Sequence, residues 1–139
     1  MATRRTTLLV LIALLASGIA STMAQKKAPA IDGYDPVAYF TEKRALRGKP
    51  EISHVFDDRR YLFTSVKNRD LFAANPERYE PQFNGLCAGN LAQGRKVKAD
   101  PNNWRVVDGK LYLFGSPPGS EAIVARKVVQ ARSKWKEMQ

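Results

Sequence analysis

The chain has 139 residues, with 23 Lys and Arg against 13 Asp and Glu, and a formal net charge of +10. This length suits one domain. A single cysteine excludes an internal disulfide, and one cysteine with one histidine cannot complete a zinc site of the usual four-ligand kind within a monomer. Any imidazole chemistry therefore has His54 as its one candidate.

Residues 1–24 have the pattern of a cleaved secretory signal peptide. Arg4 and Arg5 precede an apolar run over residues 8–16, and small residues follow up to Ala24. The apolar run is shorter than the roughly 20 residues that a membrane span needs, which disfavours an uncleaved anchor. Cleavage is predicted after Ala24, with Ala20 as the alternative, and the arginine pair leaves both general and twin-arginine export open.

Export would leave residues 25–139, with a charge of +8 because two arginines are removed. Residues 25–30 are predicted to be a flexible lead-in, and residues 31–139 the folded domain. We expect the protein to be periplasmic or secreted. A basic exported protein meets anionic membrane or cell-wall surfaces, and no aromatic-plus-basic RNA motif is present. Nucleic acid is therefore not predicted as a partner.

The first half of this domain predicts a helix, a hairpin and two more short helices. Asp35-Pro36 indicates a helix start, since Asp caps and Pro is tolerated in the first turn, and the helix is expected to reach about Lys43. Residues 52–56 and 60–64 predict two strands joined by a tight turn. Ser65 is expected to cap the next helix, whose apolar side would be Leu71, Phe72 and Ala74; Asn75-Pro76 begins another helix.

The second half predicts a glycine-bearing loop over residues 83–94, a hairpin and a terminal helix. The dipeptide Asp108-Gly109 between apolar runs is a strong hairpin signal. The helix repeats apolar residues at steps of three and four: Val124, Val128, Ala131, Trp135 and Met138. No internal repeat is apparent. The order of elements predicts a small α+β domain, in which two antiparallel hairpins pack with short helices and a C-terminal amphipathic helix.

Two strings resemble a known family. The first is Gly33-Tyr34-Asp35-Pro36-Val37-Ala38-Tyr39-Phe40, and the second runs from Ser53-His54 to the Asn-Pro-Glu-x-Tyr spacing that ends at Tyr79. Together with the segment around Cys87 and the following hairpin, they resemble exported single-domain YHS proteins over about residues 31–114. The resemblance implies a small α+β fold and a link to metal handling, notably of copper.

The resemblance also implies where a metal would bind. Metal-binding YHS domains have cysteines after the Asp-Pro-Val string and near the end of the second strand. The matching positions here are Ala38, Thr64 and Asn68, none of which is a thiol. Two side chains with affinity for soft metals remain, His54 and Cys87.

The resemblance, together with these two side chains, implies a copper-type accessory protein that binds Cu(I) weakly or transiently through His54 and Cys87, with a metal ion or a metal-handling protein as partner. Zinc would need further donors, such as Asp35 or a partner chain. The alternative is a metal-free binding or scaffold module that has lost the thiolate site and takes no cofactor.

Each candidate residue also has a purely structural interpretation. His54 could be a core histidine and Cys87 a buried, inert thiol. A Cys87–His54 nucleophile pair lacks an identifiable orienting group, so no catalytic residue is predicted and an enzyme is not favoured. The basic C-terminal helix is expected to pack on the domain, and docking on an anionic membrane is the alternative.

Overall fold

The computed structural model describes residues 27–139, so the predicted signal peptide and the start of the lead-in lie outside the described residues. Two 3₁₀ turns are present, Ala30–Gly33 and Gln82–Gly85. The helices are α1 (Ala38–Thr41), α2 (Val66–Ala74), α3 (Pro76–Tyr79), α4 (Ala88–Leu91) and α5 (Glu121–Glu137). The strands are β1 (Lys49–Phe56), β2 (Arg59–Phe63), β3 (Asp100–Val107) and β4 (Lys110–Phe114).

The predicted α+β class is confirmed. β1 pairs with β2, and β3 with β4, in two separate antiparallel sheets. Each hairpin turns on two residues, Asp57-Asp58 and Asp108-Gly109, and all four have positive φ between 48° and 71°. Such left-handed pairs suit hairpins because their twist matches that of the strands, which explains why Asp and Gly are found there.

The two halves of the described chain repeat one another, contrary to the expectation that no repeat exists. In both, a 3₁₀ turn, a short helix, an eight-residue strand, a five-residue strand and a helix follow in that order. Lys49 pairs with Phe63, and 51 positions later Asp100 pairs with Phe114. We call residues 29–80 the first repeat and residues 81–139 the second repeat.

The irregularities of the two repeats also correspond. Both hairpins shift register early in their first strand, where Pro50 and Pro101 stand. Proline cannot donate to a ladder and is accommodated at such breaks. The 3₁₀ turns each contain two left-handed residues, Ile31 and Asp32 in one and Phe83 and Asn84 in the other, and each ends in a glycine with positive φ. An irregularity that recurs in this way belongs to the architecture of the fold.

Two hydrophobic clusters form the core. The first consists of Val37, Tyr61, Phe63, Phe72 and Tyr79. The second lies around β4 and α5, and it also takes Tyr34 and Tyr39 from the first repeat. The Tyr39 hydroxyl donates to the carbonyl oxygen of Pro101 at 2.8 Å. The repeats are thus joined by shared packing as well as by the chain.

The predicted face of the C-terminal helix is confirmed. Val124, Val128 and Ala131 are buried, and Trp135 and Met138 pack against the second cluster. No helix within residues 27–139 is long and apolar enough to cross a membrane.

Several local expectations were wrong. The first helix ends at Thr41 and not near Lys43, and β1 begins three residues earlier than predicted, because the strand continues through the register shift at Pro50. The supposed loop over residues 83–94 contains a 3₁₀ turn and α4, so Gly89 and Asn90 lie in a helix and not in a turn. Ala74 is exposed, so the buried side of α2 is centred on Phe72.

The close approach at Gly48 gives a test of the hairpin packing. A Cβ at this position would lie 2.5 Å from the Phe63 nitrogen and closer still to the Leu62 carbonyl carbon. We expect Gly48→Ala to lower the free energy of unfolding by about 3 kcal/mol, because backbone must move. Gly89→Ala is the control: its Cβ would meet no atom nearer than the Cys87 sulfur at 3.8 Å, and alanine favours the helix by about 0.5–1 kcal/mol. Urea unfolding of both variants would measure the difference.

Candidate functional site

The carboxylate of Asp35 is fully buried and accepts five hydrogen bonds. Oδ1 accepts from the backbone N–H groups of Val37 at 2.8 Å and Ala38 at 3.3 Å. Oδ2 accepts from the Thr64 N–H at 2.9 Å, the Thr64 hydroxyl at 2.9 Å and the Asn68 side-chain amide at 2.8 Å. Burying a charge is costly unless it is fully hydrogen-bonded, and here the start of α1, the end of β2 and the first turn of α2 supply the donors.

The three positions that the YHS resemblance assigns to thiolates therefore meet at one point. Ala38 contributes its backbone, Thr64 its backbone and hydroxyl, and Asn68 its amide. Asn68 also donates to the Thr64 hydroxyl at 3.2 Å. At the positions that the resemblance assigns to thiolates, this chain therefore has hydrogen-bond donors to one carboxylate.

Cys87 is the counterpart of Asp35 in the second repeat, 52 positions later. Its backbone N–H donates to the Val97 carbonyl at 2.8 Å, as the Asp35 N–H donates to Leu46 at 2.8 Å. Its sulfur accepts from the N–H groups of Asn90 at 3.5 Å and Gly115 at 3.1 Å. These two groups occupy the places of the Ala38 and Thr64 N–H groups in the first repeat. The sulfur thus lies where the other repeat holds a carboxylate.

The donors around the sulfur favour the thiolate. Burial raises the pKa of the Cys87 thiol, but hydrogen bonds from the backbone and side chain of Asn90, and from the backbone of Gly115 and Gly89, outweigh burial and lower it. The Asn90 side-chain amide donates at 3.2 Å. Cys87 lines a cavity of about 140 Å³ together with Gly89, Asn90, Gln93, Phe114, Ser116 and Lys127. Cys87 is only 3% exposed.

His54 lies in β1 on the face shared with Ile52 and Phe56, as predicted. Its ring meets the Phe72 ring edge-on, with centroids 6.0 Å apart, and Ile52 and Phe56 pack on the same cluster. The side chain is half-buried. This packing places His54 at the border of the first cluster.

The two predicted metal ligands lie in different parts of the core. His54 contacts the first hydrophobic cluster, whereas Cys87 is a member of the second. Within residues 27–139, no three side chains of His, Cys, Asp or Glu are grouped so as to hold a metal ion. Joint ligation by His54 and Cys87 remains a prediction from the sequence.

The long-range part of the Asp35 network is not evident from the sequence. Thr64 and Asn68 lie 29 and 33 residues from Asp35, and nothing in their local pattern points to it. Two signals could have revealed the repeat. The tripeptide Tyr-Leu-Phe occurs at residues 61–63 and again at residues 112–114, and glycine precedes Tyr34-Asp35 and Leu86-Cys87 alike.

Comparison with known proteins adds no relative: the chain matches no family model, no curated protein and no solved structure.

Asp35→Asn tests the carboxylate. The amide keeps the shape but turns an N–H₂ group toward backbone donors, so buried N–H groups lose their acceptor. We expect a loss of about 3 kcal/mol in the free energy of unfolding, measured by urea titration. Asp70→Asn alters a carboxylate that is 65% exposed and should change stability by less than about 0.5 kcal/mol. Equal effects of the two substitutions would contradict a special role for Asp35.

Cys87→Ala tests the thiolate. The substitution leaves the Gly115 N–H and the Asn90 amide without an acceptor, and we expect a loss of about 1–3 kcal/mol in stability. Because the folded-state pKa is lowered, the thiolate contributes stability that is complete above the unfolded-state pKa and disappears as the pH falls through the folded-state pKa. The stability difference between the wild type and Cys87→Ala should therefore grow as the pH rises toward the unfolded-state pKa of cysteine, about 8.5. A difference that does not vary with pH would indicate a neutral thiol.

Proposed function

We propose that this chain is an exported, YHS-like binding module that works without a metal ion. The supporting observation is the Asp35 network, which fills the positions that the resemblance assigns to thiolate ligands. Alanine, threonine and asparagine side chains are poor ligands for soft metals such as Cu(I). The donor set for such a metal is therefore absent from these three positions.

Asp35 itself is unsuited to replace the missing ligands. A carboxylate offers about four lone-pair positions, and the two oxygens of Asp35 already accept five hydrogen bonds. A metal ion would have to displace some of these bonds, which include those from the backbone N–H groups of Val37 and Thr64. This cost disfavours the zinc site in which Asp35 would act as an additional donor.

Copper binding at Cys87 is the second candidate, and one observation favours it. The pKa of Cys87 is lowered, and the thiolate is the form of cysteine that binds metals. Hydrogen bonds to sulfur, such as those from Gly115 and Asn90, are also found around metal-bound thiolates. Against it, a cationic side chain, Lys127, lines the same cavity, and its ammonium group donates to the Pro118 carbonyl at 3.2 Å.

Anaerobic Cu(I) titration against a chelating competitor separates the two candidates. We expect the purified protein to compete no better than Cys87→Ala or the double variant His54→Ala/Cys87→Ala. A stoichiometric, high-affinity site in the wild type that Cys87→Ala abolishes would overturn the metal-free proposal. If His54→Ala alone abolished it as well, joint ligation by both side chains would be supported.

Protein purified from its native compartment should also be analysed for bound metal, before any copper is added. Stoichiometric metal in that material would contradict the proposal independently of the added copper. Circular dichroism of each variant provides the control for folding, since Cys87→Ala is expected to lose stability without losing the fold.

A further inference from the structure

Positive charge is divided unequally between the two repeats. The first repeat carries nine Lys and Arg and nine Asp and Glu, so its formal charge is zero. The second repeat carries ten Lys and Arg and four Asp and Glu, which gives +6. Two units of the same architecture thus differ in net charge, and the excess positive charge of these two repeats belongs to the second.

Within the second repeat, α5 presents cations on a face that the fold does not use. Its packed side is formed by Val124, Val128 and Ala131. The opposite side, which we call the α5 outer face, consists of residues spaced by three or four, all of them exposed: Ala122, Arg126, Val129, Ser133 and Lys136. Among the described residues, neither Arg126 nor Lys136 takes part in an ion pair.

The carboxylates of α5 do little to neutralise this face. Glu121 lies in the first turn, at the helix N-terminus. Glu137 lies in the last turn, and Lys134 binds it at 2.8 Å. The central position of the face is Val129, whose side chain is 64% exposed, the largest fraction among the exposed large hydrophobic residues of the described chain. An exposed apolar side chain between two cations offers a membrane surface both an apolar contact and two positive charges.

We propose that the second repeat docks through the α5 outer face on a membrane surface that carries anionic phospholipids. This inference rests on the proposed binding function and names its partner. Phosphate headgroups complement Arg126 and Lys136, and Val129 reaches the apolar boundary beneath them. A purely polyanionic polymer would complement the cations but would offer nothing to the exposed valine.

The docking is peripheral and depends on salt. The apolar side of α5 is already committed to the core, so the helix cannot bury it in lipid. Each cation close to an anionic surface strengthens binding by roughly fivefold, and this gain declines as ionic strength rises.

Flotation with phosphatidylcholine vesicles, with and without phosphatidylglycerol, tests the proposal on the chain comprising residues 25–139. We expect binding to the anionic vesicles alone, weaker at physiological ionic strength than at low salt. Arg126→Gln/Lys136→Gln should reduce the partition coefficient by about tenfold or more. Arg44→Gln/Lys67→Gln is the matched control, since it removes one arginine and one lysine from exposed positions of the first repeat.

A second pair of variants tests the contribution of the exposed Val129 side chain. Val129→Ser should weaken vesicle binding, whereas Val66→Ser, at a 51% exposed position in α2, should not.

Two outcomes would overturn the proposal. An equal loss of vesicle binding in Arg126→Gln/Lys136→Gln and in Arg44→Gln/Lys67→Gln would mean that only net charge matters, and it would overturn the assigned face. Binding to a soluble polyanion without binding to vesicles would overturn the membrane as partner. Binding to vesicles and binding to a polyanion are both measured without metal. Failure of the docking proposal is therefore distinguishable from failure of the metal-free proposal.

Discussion

The fold of each repeat depends on an acceptor buried beside the start of its first helix. In the first repeat, the Asp35 carboxylate cannot leave water unless every lone pair finds a donor, and the donors come from three separate segments of chain. Satisfying that one group therefore fixes where α1 begins, where β2 ends and how α2 is placed. In the second repeat, the buried acceptor is the Cys87 sulfur, and the Gly115 N–H at the end of β4 donates to it.

Short-range patterns predicted much of this architecture. The Asp108-Gly109 turn, the Ser65 cap on the Asn68 N–H and the apolar face of the last helix are found as expected, because each depends on residues close in sequence. The Thr64 and Asn68 donors of the Asp35 network were not predicted, since they lie 29 and 33 residues from Asp35 in the sequence. The left-handed conformations of Ile31 and Phe83 oppose the preferences of their side chains, and tertiary packing imposes them. The candidate site could be identified only as two residue types, His54 and Cys87, without their positions in space.

The family resemblance and the structure point to different features of residues 38, 64 and 68. Sequence resemblance drew attention to the cysteines that are missing, whereas the structure shows that their positions surround one carboxylate. The two soft donors also have different environments, since His54 packs against Phe72 and Cys87 lines a small polar cavity. The positions that the resemblance assigns to thiolates and the docking face proposed on α5 thus lie in different repeats of one chain.

The similarity of the two hairpins has a consequence for folding kinetics. β2 and β4 share the tripeptide Tyr-Leu-Phe in the same register, so β1 could pair with β4 in a misfolded chain. Mispairing between equivalent elements is a characteristic failure of repetitive proteins. Each correct pair closes around a two-residue turn, and hairpins of this kind form in about 1–10 μs. Because a strand meets its own partner before it can search for a distant one, the left-handed residues at Asp57 and Gly109 protect the order of the sheets while the chain folds.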